Sequence, residues 1–176
     1  MLVKLILWAL FLLPWTLLFF LDRKVVKRYM PTALLAALIV TLFSEMAATY
    51  DWWEHYKLFP AFVTNIPIVF GPFVVGTILI FYMSFGHFWI YLALNALVNL
   101  IFAYPVSYVF ERIGLYQLIV YKHWHIIATA MIWALIIYGF QLWMEEVLRG
   151  DGRTGRRGLD PADLLRRWFT KREAAR

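Results

Sequence analysis

Polar and charged residues in this chain gather into a few short clusters, and between them the sequence runs apolar for long stretches. A helix rising 1.5 Å per residue needs about 20 such residues to cross a bilayer. Five stretches meet that length: Leu2–Leu21, Pro31–Tyr50, Ile66–Phe85, His87–Val109 and Trp124–Met144. The pattern predicts an all-α integral membrane protein, a five-transmembrane-helix bundle filling residues 1–148. The first stretch is too long and too basic at its end for a cleavable signal peptide. Only Gly86 and its neighbours join the third and fourth stretches, which predicts a tight helical hairpin. A four-span or re-entrant arrangement of that pair is the alternative.

Charge then sets an expected orientation. Arg23, Lys24, Lys27 and Arg28 follow the first span, and nine of the seventeen basic residues lie at Arg149 or later. The other side holds only Lys4, Lys57, Arg112 and Lys122. The positive-inside rule therefore places the N-terminus outside and the C-terminus in the cytoplasm, as five spans require. Beyond the bundle, residues 149–159 are Gly/Arg-rich and predict a flexible linker. Residues 160–176 predict a short cytoplasmic amphipathic helix, with Asp160 as N-cap and Pro161 at the first helical position. Arg166, Arg167, Trp168, Lys171 and Arg172 would then sit on the membrane surface, against anionic lipids of the inner leaflet. A solvated tail is the plainer alternative. The same arginines leave little reason to expect nucleic acid as a partner, and Arg149-Gly150-Asp151 reads as a chance tripeptide.

Composition agrees with a membrane location. Of 176 residues 63% are hydrophobic and 19% aromatic, including nine tryptophans, which favour the headgroup level. No cysteine is present, which excludes disulfides, zinc–thiolate sites, iron–sulfur clusters and thiol nucleophiles. No internal repeat is visible, so an inverted-repeat transporter has little support.

The blocks "LLPWTLLFFLDRK", "SEMAATYDWW", "IPIVFGPFVVGTILIFY", "FGHFWIYL" and "WHIIATAMIWALIIYGFQ" resemble a family of small multi-span membrane proteins of spore-forming bacteria. The resemblance runs from the first span to about Gln141. It implies one compact bundle in a bacterial cytoplasmic membrane and carries no assigned reaction, ligand or partner. It does not reach the arginine-rich tail.

Candidate chemistry centres on Glu45. It lies fourteen residues up from Pro31, about 21 Å of helix rise, and Asn99 lies twelve residues up from His87, about 18 Å. Asn95 and Asn99 share a helix face. An ionised carboxylate facing lipid at that depth costs several kcal/mol, so the expected partner of Glu45 is Asn99, helped by Thr41, Thr49 or Tyr104. Two readings stand side by side: an interhelical hydrogen bond worth about 0.6–2 kcal/mol, or a functional carboxylate. The asparagines and the pair Ala33-x-x-x-Ala37 read first as packing. Pro72 and Pro105 would each free the carbonyl four residues earlier, at Ile68 and Ile101, and Pro14 would bend the first span. The rim offers Asp51, Glu54, His55, Glu111, His123 and His125. If the second span stays helical past Tyr50, Asp51 and His55 stack at i and i+4. Asp51, His55, His123 and His125 are thus the candidate metal ligands, with simple solvation as the alternative. Trp52, Trp53 and Trp124 read as interfacial anchors, and His87 as a turn residue.

Three functional readings follow. The first is a non-enzymatic bundle that binds a lipid-like or small ligand, or serves as an accessory subunit, with Glu45, Asn95, Asn99 and Tyr104 around an outward-opening pocket. Its partners would be the bilayer, a second copy of the chain or a membrane complex. The second is a membrane-embedded hydrolase or transferase using the rim histidines and carboxylates, with or without a metal. The third is a proton-coupled transporter or channel subunit. The sequence names no cofactor.

Overall fold

The computed structural model describes residues 2–56, 58, 65–120 and 122–154. Five helices in it are long and apolar enough to cross a membrane. We label them α1 (Leu2–Leu17), α2 (Arg23–Thr49), α3 (Ile66–Ser84), α4 (Phe88–Arg112) and α5 (His123–Thr154). A short 3₁₀ turn, Leu18–Phe20, extends α1. Two three-residue strands, β1 (Trp53–His55) and β2 (Tyr116–Leu118), form one antiparallel ladder. Contacts divide the chain between Gly139 and Phe140. In the second part, Gln141 Nε2 donates to Glu145 Oε1 at 3.0 Å, one helical turn on.

Each of the five apolar stretches falls on one of these helices, whose ends differ from the expected ones where caps decide. α2 begins at Arg23, well before Pro31, because Asp22 caps it: its carboxylate accepts from the Lys24 N–H at 2.8 Å. Arg23, Lys24, Lys27 and Arg28 therefore lie in the first turns of a helix rather than in a loop. At the other end, α2 stops at Thr49, so the i, i+4 stacking of Asp51 and His55 does not form. Asp51 adopts φ 50°, and the Trp52 N–H reaches back to Ala47 O at 2.9 Å. That is a Schellman ending with aspartate in the left-handed position, which its short polar side chain tolerates. α4 ends the same way, with Gly114 at φ 72° and the Leu115 N–H on Phe110 O at 2.9 Å. The two endings feed directly into β1 and β2, which pair Trp53 with Leu118, Glu54 with Gln117 and His55 with Tyr116. The α3–α4 hairpin closes at Gly86, φ 91°, as its sequence position predicts.

Pro72 and Pro105 each disturb their helix in the same manner. Proline has no N–H to give and crowds the preceding turn. The chain responds with a π-helical turn at Val69–Phe73 and another at Phe102–Val106. In the first, the Val74 N–H turns to Val69 O and Gly71 O, leaving Phe70 O for another donor. The indole Nε1 of Trp15 on α1 supplies it at 2.9 Å. In the second, both the N–H and the Oγ of Ser107 reach Phe102 O. In the first turn a side chain thus serves Phe70 O, whereas in the second Phe102 O takes both a backbone N–H and a hydroxyl.

Small residues let the helices approach. Ala33, Ala36 and Ala37 are fully buried where α2 packs along α3. Gly71 lies directly against the α1 backbone at Leu10 and Phe11. Toward the Gly86 end, Tyr29, Phe81, Tyr91 and Tyr138 form an aromatic cluster, with Tyr91 and Tyr138 centroids 4.8 Å apart. The Tyr91 hydroxyl donates to Ala134 O at 2.9 Å, tying α4 to α5.

The expected boundary at 148 is not a helix end, since α5 continues to Thr154 through the start of the predicted linker. The rest of that linker and the amphipathic helix at 160–176, with Arg166, Arg167, Trp168, Lys171 and Arg172, lie outside the described residues.

Candidate functional site

Between the ladder and the aromatic cluster, α2, α3, α4 and α5 enclose a cavity of about 320 Å³. Its wall is mostly apolar: Val40 and Phe43 from α2, Ile80 and Phe81 from α3, Phe102 from α4, and Trp133 from α5. Both π turns contribute, through Val69 and Pro72 on α3 and Phe102 on α4. A π turn inserts a residue and so rotates the helical face that follows it, which here keeps the wall from closing by simple ridge packing. No Asp, Glu, Lys, Arg or His stands on the wall among the described residues.

The polar wall groups fall into two kinds. Most are bonded within their own helix. Ser44 Oγ donates to Val40 O, Thr77 Oγ1 to Phe73 O, Thr129 Oγ1 to His125 O, and Asn95 Nδ2 to Tyr91 O, all at 2.8–2.9 Å. Such back-bonding leaves a smooth, weakly polar surface. Asn99 and Asn65 differ, because neither has a side-chain hydrogen bond among the described residues. Asn99 is half-buried on α4. Asn65 is only 9% exposed, and its covered Nδ2 and Oδ1 have no hydrogen-bond partner among the described residues.

Asn65 occupies the N-cap of α3, where asparagine normally folds its side chain back onto the first turn. It does not do so here. Pro67 in that turn has no N–H, and the N–H groups of Ile68 and Val69 both go to the Asn65 backbone carbonyl at 3.1 Å, so the side chain finds no donor there to cap. Sequence reasoning passed over Asn65, since Asn-Ile-Pro at a helix start reads as an ordinary cap.

Of the residues singled out for a pocket, Asn95 and Asn99 are on the wall. Glu45 and Tyr104 are not. Glu45 is exposed, one turn before the end of α2, and Ser44 takes the place facing the cavity. Adjacent residues on a helix point about 100° apart, so the two cannot share a direction. The Thr49 hydroxyl bonds the backbone carbonyl of Glu45 at 3.0 Å, not its carboxylate. Tyr104, 48% exposed, stacks on His123 with ring centroids 5.3 Å apart.

The rim residues are spread out. Asp51 and Glu54 are exposed, and the His55 side chain lies outside the described residues. His125 Nδ1 accepts from the Lys122 N–H at 3.1 Å at the start of α5, and its ring stacks on Trp124. Among the described residues no three His, Asp or Glu side chains come together as a metal-holding group. Trp53, expected as an interfacial anchor, reaches the cavity wall, while Trp52 packs against Phe43 and Tyr50.

The fold and the site together define a five-helix bundle with a largely apolar pocket that carries no charged side chain among the described residues. Comparison with protein-family models, characterised proteins and solved structures returns no match for the chain.

Proposed function

We propose that this chain is a five-span protein of the cell membrane that binds a lipid-like or other apolar small ligand in the cavity between α2, α3, α4 and α5. The observation that carries the reading is the cavity itself: apolar, uncharged, and furnished with asparagine amides. Ligand pockets combine mostly hydrophobic walls with a few placed polar groups, and about 320 Å³ falls near the small end of their range.

Membrane insertion is supported by an inverted distribution of residue types. Phe19, Phe20, Leu13 and Leu42 face outward, whereas Thr32, Ser44, Ser84 and Ser107 are buried. Water would penalise that arrangement and lipid would not. Glu45 fits it as well. One turn from the end of α2, its carboxylate can extend to the headgroup level instead of remaining in hydrocarbon. The basic first turns of α2 favour the cytoplasm for the Gly86 end, and the ladder then lies outside.

The absence of cysteine makes the orientation directly testable with single-cysteine variants. Gln117→Cys in β2 should react with an impermeant maleimide on intact cells, and Lys24→Cys only after permeabilisation. The opposite labelling would reverse the orientation. Ligand binding is tested at Gly76, which lines the cavity and where an added Cβ meets nothing within 4 Å. Native mass spectrometry of the purified protein should show a bound amphiphile in the wild type and none in Gly76→Phe. Equal occupancy in the two would sink the cavity reading.

A further inference from the structure

We propose that Asn99 holds the polar group of the ligand, and that this ligand is a neutral, membrane-dissolved molecule bearing a hydrogen-bonding group such as a hydroxyl. The proposal rests on the ligand-binding reading above and specifies the chemistry of its ligand.

Asn95 and Asn99 lie one turn apart on the cavity face of α4, and they dispose of their amides differently. Asn95 Nδ2 donates to Tyr91 O at 2.8 Å, four residues back. Asn99 makes no such bond to Asn95, and its amide has no other hydrogen-bond partner among the described residues. Unlike the amide of Asn65, it is not covered by protein. An accessible, unbonded amide near the middle of a span is the opposite of helix–helix glue, which asparagine supplies by bonding across to a neighbour. Its partner comes from whatever occupies the cavity. An ordered water would find little else to hold it, because the Ser44, Thr77 and Thr129 hydroxyls already donate within their own helices.

The charge of the ligand follows from the wall. With no Lys, Arg, His, Asp or Glu on it among the described residues, an ionised group would be desolvated without a counter-charge. The bound group is therefore neutral. The source of the ligand follows from Val98, next to Asn99. Val98 also stands on the wall, yet it is 47% exposed and adjoins the outward-facing Leu97 and Ile101. The wall edge there meets the surroundings, which for a spanning helix at that depth are lipid. A hydroxyl carried from the headgroup level to that depth gives up its water, and the Asn99 amide, donor and acceptor together, replaces it. The apolar remainder of the molecule lies against Phe43, Phe73, Phe81 and Trp133.

The test uses the full chain purified in detergent, with 1-dodecanol, 1-chlorododecane and dodecanoate at neutral pH as probes. Chlorododecane matches the alcohol in length and lacks its hydroxyl. Binding is read by native mass spectrometry and by the shift in melting temperature. Dodecanol should bind about tenfold more tightly than chlorododecane, the worth of one hydrogen bond, and dodecanoate more weakly than dodecanol. Asn99→Leu should bring dodecanol down to the level of chlorododecane. It should leave chlorododecane binding and the melting temperature of the ligand-free protein unchanged. Dodecanol that binds no better than chlorododecane, a preference that survives Asn99→Leu, or a fall in the ligand-free melting temperature that marks Asn99 as a packing residue each overturns the assignment. The cavity reading is judged separately, on Gly76→Phe. If that variant carries the same bound material as the wild type, the cavity reading falls and this proposal with it.

Discussion

Gly71 offers the sharpest test of how α1 is held. A Cβ built there comes within 3.0 Å of Leu10 C and 3.1 Å of Phe11 Cα, and closer still to Leu10 O. All three are backbone atoms, so no rotamer change relieves the overlap. In Gly71→Ala, α1 must retreat by on the order of 1 Å, an overpacking cost of about 1–3 kcal/mol. The retreat also stretches the Trp15 Nε1 to Phe70 O bond from 2.9 Å and exposes the carbonyl freed by the Pro72 turn, adding about 1 kcal/mol. The expected loss is about 2–4 kcal/mol. Gly76→Ala is the matched control on the same helix: its Cβ enters open space, and alanine is the better helix former, so stability should hold or rise by about 0.5–1 kcal/mol. Both variants are compared by thermal or denaturant unfolding in one detergent. If Gly71→Ala proves as stable as Gly76→Ala, α1 does not cross α3 at Gly71 as described and the reasoning fails.

Three further outcomes are expected from the same unfolding assay. Trp15→Phe leaves a smaller aromatic ring and removes the donor to Phe70 O, so it should cost about 1–3 kcal/mol, and a neutral result would mean the π turn satisfies that carbonyl otherwise. Tyr91→Phe removes the hydroxyl bond to Ala134 O and should cost about 1 kcal/mol. Glu45→Gln should alter stability by no more than about 0.5 kcal/mol and leave cavity binding unchanged, because the side chain is exposed and off the wall; a large loss of either would return Glu45 to the site.

The spans were legible in the sequence because length and apolarity are local quantities, and no fold is needed to read them. The hairpin at Gly86 was legible for the same reason: two apolar stretches separated by so few residues have no other route. Asn95 and Asn99 were correctly grouped, since a four-residue spacing on one helix fixes a common face. Facing toward a neighbour was not legible. Hydropathy cannot tell Ser44 from Glu45 as the residue that meets α3 and α4, and the carboxylate drew attention by its cost rather than by its direction.

What the sequence by itself determined is therefore the five helices long and apolar enough to span, and which positions share a stripe. Tertiary structure decided the rest. It placed π turns at Pro72 and Pro105, joined Trp15 to a carbonyl fifty-five residues away, and brought the endings of α2 and α4 together as a ladder. The physical reason is common to all three. Each depends on which backbone groups remain unsatisfied after the helices have packed, and that accounting exists only once distant segments share a space.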